Sequence, residues 1–335
     1  MKARVRTVDP AAPDAAAMAD AGQVIRDGGL VAFPTETVYG LGANALDAEA
    51  AGRIFAAKGR PGYNPLIVHV RDTEAARAVT AAWPDMAERA AAAFWPGPLT
   101  LVLPRDPAIP DVVTAGLPTV GVRLPSHPVA RALLDAAAVP VAAPSANRFT
   151  RVSPTTAEHV IRGLGDRADL IIDGGATPYG IESSVLDLTG VRPKLLRHGA
   201  VSLAELSAAL GPVDEATLSG SGHEQASPLP APGMTDRHYS PAATVVQFSE
   251  AVESEQLARD ARRRGKRVGA IVMRAAAVPA DEIIVLPHEA PGYARLFYAA
   301  LHTLDDAGCG TVLLERVPSD PPWAAIRDRI RRAGG

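Results

Sequence analysis

The chain has 335 residues, of which 47% are apolar and 21% charged, with a net charge of −3. That is a soluble globular profile long enough for two domains, with no general attraction to nucleic acid or anionic lipid, so neither a stable nucleic-acid complex nor a membrane partner is expected. No run of about eighteen apolar residues exists to span a bilayer, the N-terminus MKARVRTVDP lacks an apolar signal core, and Cys309 is the only cysteine. An internal disulfide and a multi-cysteine zinc site are therefore excluded, and a cytoplasmic location is the expectation.

In chain order, the apolar runs predict strands at 30–33, 66–70, 99–103, 119–124, 139–143, 170–172, 183–188 and 194–199. Alanine-rich helices lie between them. Asp85 with Glu88, Thr155 with Glu158 and Ser202 with Glu205 fit the capping box, and Ser126 precedes a helix with Pro128 in its first turn. Tight Pro/Gly connections favour a twisted mixed sheet over a purely parallel one. Residues 211–241 are rich in Gly, Ser and Pro without apolar period and read as a linker. Beyond it, strands at 243–248, 267–273, 282–286 and 311–317 alternate with helices at 249–263, 291–306 and 322–332. That pattern predicts a small, mainly parallel α/β unit. The basic runs 259–267 and 327–335 read as helix C-termini complementing the dipole.

Several motifs carry possible chemistry. Gly40, Gly42 and Ala45 match the dinucleotide fingerprint, but PTETVY separates them from the preceding strand, where the fingerprint needs the glycines at once. Lys58 is one of four lysines against thirty arginines; a compact ammonium can touch several phosphate oxygens. Arg60 follows at the expected helix end, and Pro61, Gly62 and Pro65 shape a turn presenting Asn64. His69 lies in an apolar strand, where taken alone it reads as a satisfied core histidine. Arg123 also lies in an apolar strand, and a buried guanidinium needs a partner, either a protein carboxylate or a ligand carboxylate. Ser145 and Asn147 follow a strand, a usual place for ligand-binding groups and also for a hydrogen-bonded turn. Ser183 and Ser184 follow a glycine-rich loop, and Arg197 stands beside Gly199.

The order of these pieces is more specific than any one. FPTETVYGLG, KGR, NPLIVH, PGPLTLVL, GVRLPSHP, APSANRF, GIESSVLDL and LLRHGA run through residues 20–205, and HYSP closes the linker. The sequence resembles the YrdC/Sua5 family of threonylcarbamoyl-AMP synthases, in the longer two-domain Sua5 form. The resemblance implies an α/β fold: a twisted mixed-sheet YrdC-like catalytic domain (1–212), a linker or lid (213–242) and a small Rossmann-like parallel α/β domain (243–335). It implies synthesis of L-threonylcarbamoyl-AMP from ATP, L-threonine and bicarbonate or CO2 with release of pyrophosphate, the first step of tRNA t6A37 modification, completed by downstream transfer proteins.

It also implies roles. Lys58 and Arg60 would hold the triphosphate, with Mg2+ arriving on the nucleotide. Asn64, Thr119, Ser145, Ser153 and Arg197 would contact ATP, Asn147 would support that wall, and Tyr239 would reach the nucleotide from a linker folded over the cleft. Arg123 would clamp the threonine carboxylate, and Thr37, His69, Ala143 and Ser183 would line the amino-acid pocket, with His69 a candidate proton acceptor. Three other readings stay open at this point: a non-catalytic RNA-binding regulator on the same fold, a hydrogenase-maturation carbamoyltransferase, which the lone cysteine disfavours, and a dinucleotide oxidoreductase.

Overall fold

The computed structural model describes residues 3–216, 239–274 and 278–334. The chain divides into two compact units. The first takes in 1–149, 154–178 and 182–234; the second takes in 150–153, 179–181 and 235–335. The middle of the expected lid, 217–238, lies outside the described residues.

In the first unit the strands are β1 (Arg4–Thr7), β2 (Val31–Pro34), β3 (Tyr39–Asn44), β4 (Ile67–His69), β5 (Leu99–Pro104), β6 (Thr119–Arg123), β7 (Val141–Ala142), β8 (Leu170–Asp173), β9 (Ser184–Asp187), β10 (Lys194–Arg197) and β11 (Asp214–Glu215). They form one sheet in the order β1-β8-β2-β3-β7-β4-β6-β5-β9-β10-β11. Parallel pairs such as β4 with β6 occur beside antiparallel pairs such as β2 with β3, which is the mixed sheet that the tight connections predict. The helices are α1 (Ala15–Arg26), α2 (Ala48–Lys58), α3 (Thr73–Ala78), α4 (Asp85–Phe94), α5 (Asp111–Thr114), α6 (Pro128–Ala137), α7 (Ala157–Gly163) and α8 (Leu203–Leu210).

Side-chain alternation along β2 explains the layering. Val31 and Phe33 pack with Ile25 of α1 and Leu133 and Leu134 of α6. Leu30 and Ala32 face the opposite core with Ile54 of α2 and Val160 of α7. A strand whose residues are apolar on both faces is buried on both, which is why this run shows no polar alternation. A third cluster joins α4 and α8 to β5, β9 and β10 through Leu101, Leu186 and Leu206.

In the second unit β12 (Thr244–Phe248), β13 (Val268–Val272), β14 (Glu282–Val285) and β15 (Thr311–Glu315) form a separate sheet, with helices α9 (Ala251–Arg263), α10 (Ala290–Asp306) and α11 (Ala324–Gly334). Its order is β12-β15-β13-β14 and every pairing is parallel. Among the described residues no helix is long and apolar enough to cross a membrane.

The objection to the fingerprint match is borne out. The glycine-rich run is β3 itself, antiparallel to β2, so Gly40 and Gly42 do not form a phosphate-binding turn. A Cβ on Gly42 would come within 2.7 Å of Val141 and 2.8 Å of Phe33, so glycine is there for close packing. The caps of two helices shift. Thr156, not Thr155, caps α7 by accepting from the His159 N–H, and α4 starts after Pro84 with no side-chain cap. His127 caps α6, and Pro128 stands in its first turn as expected.

The capping box at Ser202 is complete: its hydroxyl accepts from Glu205 N–H (3.2 Å), and the Glu205 carboxylate accepts from Ser202 N–H (2.8 Å). Replacing Ser202 with Ala is expected to lower the unfolding free energy by about 1 kcal/mol in chemical denaturation; an unchanged midpoint and slope would show that this cap contributes nothing.

Candidate active site

The centre of the first sheet sets up the site. In the β4–β6 register His69 lies beside Arg123, and across β7 it lies beside Val141. Two long polar side chains therefore emerge together at the carboxyl ends of adjacent parallel strands, where α/β sheets expose ligand-binding groups. Both are almost fully buried, His69 at 3% and Arg123 at 3% exposure.

The turn joining β2 to β3 supplies the partners of Arg123. Thr35 Oγ1 donates to the Val38 carbonyl (2.7 Å) and so accepts from Thr37 Oγ1 (2.8 Å). Thr37 Oγ1 is then an acceptor for Arg123 Nη1 at 3.0 Å. Arg123 Nη2 pairs with Glu36 Oε1 at 2.6 Å, and Nε donates to the Gly97 carbonyl at 3.3 Å. The sequence left open whether a protein or a ligand carboxylate neutralises Arg123. The structure supplies a protein carboxylate, Glu36, so burial of Arg123 does not by itself require a ligand. Three of its five N–H groups are used in this way, which leaves one on each terminal nitrogen.

His69 is different. Its Nδ1 is buried without a hydrogen-bond partner. Burial, reinforced by the neighbouring charge of Arg123, pushes its pKa down to about 3. A base that weak is a poor acceptor for an ammonium proton. The lowered pKa argues against the expectation that His69 takes the proton from threonine. Phe33 meets it edge-on at 6.4 Å between ring centroids.

A second cluster forms where α2 ends. Gly59 adopts the left-handed conformation (φ +63°) that terminates the helix, leaving Lys58 on the last turn and Arg60 just past it. Lys58 Nζ donates to the main-chain carbonyls of Ser145 and Asn147 and approaches Asn147 Oδ1 at 3.4 Å. Arg60 donates through Nε to the Asn64 carbonyl (3.0 Å) and through Nη2 to Asn64 Oδ1 (2.7 Å) and the Pro65 carbonyl (2.8 Å). Asn64 Nδ2 is buried without a partner. The Lys58 pKa is held well below the ordinary lysine value, first by burial and then by the charge of Arg60, with Glu182 opposing. Glu36 and Glu182 are both missing from the sequence-derived site.

Residues 141–147 connect the two clusters. Val141 lies beside His69, Ala143 N–H donates to the Ile67 carbonyl (2.9 Å), and Ser145 bridges to Gly40 of β3. Ser145 Oγ also donates to Asn147 Oδ1. On the far side, Ser183 precedes β9; its hydroxyl meets Thr100 Oγ1 at 2.8 Å, and Arg197 Nη2 reaches both its carbonyl (2.9 Å) and its hydroxyl (3.1 Å).

Not every candidate joins these clusters directly. Thr119 begins the strand that Arg123 ends, which separates them by roughly 13 Å at about 3.3 Å per residue. It lines a pocket with Pro65, Thr100 and Val185, next to the anchors of Arg60 and Ser183. Ser153 and Tyr239 belong to the second unit. There the Ser153 carbonyl meets His302 Nε2 at 3.1 Å, and Tyr239, at φ +62°, packs against Tyr298 with the Arg329 guanidinium 5.1 Å from its ring centre.

The state of His69 has a consequence for stability. An unfolded histidine titrates near 6.5 and the folded one at about 3, so between those values only the unfolded chain binds the proton. The contribution of this residue is constant above pH 6.5 and is lost as pH falls toward 3. Between pH 7 and pH 5 the wild type is expected to lose about 2 kcal/mol more than His69→Gln in denaturant titrations, at ~1.4 kcal/mol per pH unit. Equal losses would contradict the burial of a neutral imidazole.

Comparison with known proteins shows the family and the fold. Residues 23–199 match a family profile described as Telomere recombination (Sua5_yciO_yrdC), and residues 201–335 match the threonylcarbamoyl-AMP synthase C-terminal domain. A threonylcarbamoyl-AMP synthase of Pyrococcus abyssi is 43% identical over 93% of this chain and 92% of its own length. That of Bacillus subtilis is 39% identical over 95% and 93%. The crystal structure of P. abyssi Sua5 complexed with L-threonine superposes with a TM-score of 0.92 at 41% identity, covering 99% of this chain and 97% of that one. The chain belongs to the YrdC/Sua5 family of threonylcarbamoyl-AMP synthases, in its two-domain Sua5 form.

Proposed function

We propose that this protein catalyses the ATP-dependent synthesis of L-threonylcarbamoyl-AMP from L-threonine and bicarbonate or CO2, releasing pyrophosphate, as the first step of t6A37 formation in tRNA. The observation that carries the reading is the joining of two buried polar clusters by one short segment. Arg123, with an N–H unspent on each terminal nitrogen, stands beside the orphaned His69 Nδ1. Through 141–147 they connect to the paired cations Lys58 and Arg60.

The division of labour follows from charge. The threonine carboxylate accepts from the two remaining Arg123 N–H groups, a bidentate pairing, and His69 Nδ1 is left for a polar group of the same substrate. Thr37, Ala143 and Ser183 form the rest of that pocket. The triphosphate lies against Lys58 and Arg60, whose mutual repulsion an anion relieves, and Asn64 Nδ2 is a ready donor toward it. Ser145, Arg197 and Thr119 border the nucleotide, with Asn147 holding Lys58 and the Ser145 hydroxyl. The assignment of Ser153 and Tyr239 to the nucleotide rests on the family resemblance. Mg2+ enters as part of the Mg–ATP substrate.

The threonine amine adds to CO2, giving a carbamate. A carbamate oxygen then attacks the α-phosphorus, and pyrophosphate leaves. Such a displacement needs alignment of two anions and compensation of their charge more than covalent help from the protein. Downstream transferases that deliver the threonylcarbamoyl group to tRNA are the expected partners.

Pyrophosphate release is expected only when ATP, threonine and bicarbonate are all present. Arg60→Ala is expected to raise the KM for ATP at least tenfold and Arg123→Ala that for threonine at least tenfold, since each charge-assisted bond contributes about 1.5–3 kcal/mol. Release without threonine, or an unchanged threonine KM in Arg123→Ala, would refute these assignments.

A further inference from the structure

We propose that Glu36 is a positioning residue for threonine: it acts through Arg123, holding the guanidinium fork in the orientation that receives the substrate carboxylate. The proposal rests on the assignment of threonine to Arg123 above.

Glu36 is 2% exposed and both of its oxygens are used. Oε1 accepts from Arg123 Nη2 at 2.6 Å, and Oε2 accepts from the Ser126 main-chain N–H at 3.1 Å. The carboxylate thus ties three pieces of backbone together: its own turn between β2 and β3, the end of β6, and the approach to α6. It is also the only acid in the stretch 28–46, so no neighbour on that turn can replace it.

The geometry separates holding from binding. Glu36, Thr37 and Gly97 each take one N–H of Arg123, from Nη2, Nη1 and Nε respectively. Fixing all three nitrogens fixes the plane of the group, and one N–H on each terminal nitrogen is left over, the number a bidentate carboxylate needs. An arginine side chain has several rotatable bonds, and a ligand that had to order it would bind more weakly by that cost. Glu36 removes the cost before threonine arrives. It also balances the buried charge beside the neutral His69, so Arg123 stays in the site when no substrate is there.

Glu36→Gln keeps the shape, removes the charge, and gives Ser126 N–H an amide NH2 in place of one acceptor oxygen. Steady-state pyrophosphate release is expected to show a threonine KM raised at least tenfold, with the ATP KM within twofold and kcat at saturating threonine within threefold of wild type. In an Arg123→Lys background, where no fork remains to be oriented, the same Glu36→Gln change is expected to alter the threonine KM by less than threefold. Should Glu36→Gln fail to fold by circular dichroism, Glu36→Asp serves instead: it keeps the charge, retreats from both partners, and is expected to raise the threonine KM severalfold. A threonine KM for the Glu36 variant equal to or below wild type, or an equal effect in both backgrounds, overturns the positioning role. If Arg123→Lys itself leaves the threonine KM unchanged, the threonine assignment fails, and that outcome is distinct from failure of Glu36 alone.

Discussion

The site depends on keeping cations inside a protein without wasting them. Arg123, Lys58 and Arg60 are all buried, and an uncompensated charge in that position is strongly destabilising. The chain compensates each by a different route. Arg123 has a carboxylate, a hydroxyl and a carbonyl. Lys58 has two main-chain carbonyls and the Asn147 side chain. Arg60 is held by the Asn64–Pro65 turn. Main-chain carbonyls stabilise a cation without cancelling its charge, so Lys58 and Arg60 remain attractive to a triphosphate. Arg123 differs in having a full carboxylate partner, Glu36, against its guanidinium.

This arrangement explains why the sheet is mixed. The parallel neighbours β4 and β6 bring His69 and Arg123 to one end of the sheet. The antiparallel hairpin of β2 and β3 returns its turn, with Glu36 and Thr37, to the same place. The short β7 then carries the chain from His69 toward the carbonyls that hold Lys58. A purely parallel sheet would put helices where that hairpin turn stands.

Much of the scaffold was legible in the sequence, because burial and period leave a direct trace. The runs at 99–103 and 119–124 and the whole strand–helix alternation after residue 243 appear at the expected places. β1 was not legible: RVRT is exposed along its length and has no apolar face. β3 was hidden because its glycines imitate a phosphate loop, whereas Gly42 is there to let Val141 and Phe33 approach. At the site, Arg123 announced itself as a charge in an apolar strand, but its partner lies 87 residues away, and no local pattern links them. The lone acid in FPTETVYGLG was the available signal for Glu36. Two of the acceptors of Lys58 are main-chain carbonyls, which every residue has, so only the Asn147 side chain could leave a trace of this contact in the sequence.

The central claim is that one hollow of the first unit orients an amino-acid carboxylate on Arg123 and a triphosphate on Lys58 and Arg60. A crystal structure with L-threonine and a non-hydrolysable ATP analogue tests this most directly. The account requires the threonine carboxylate within hydrogen-bond distance of Arg123 Nη1 and Nη2, and phosphate oxygens within that distance of Lys58 Nζ and the Arg60 guanidinium. A threonine carboxylate bound away from Arg123, or phosphates that leave Lys58 and Arg60 untouched, would contradict it.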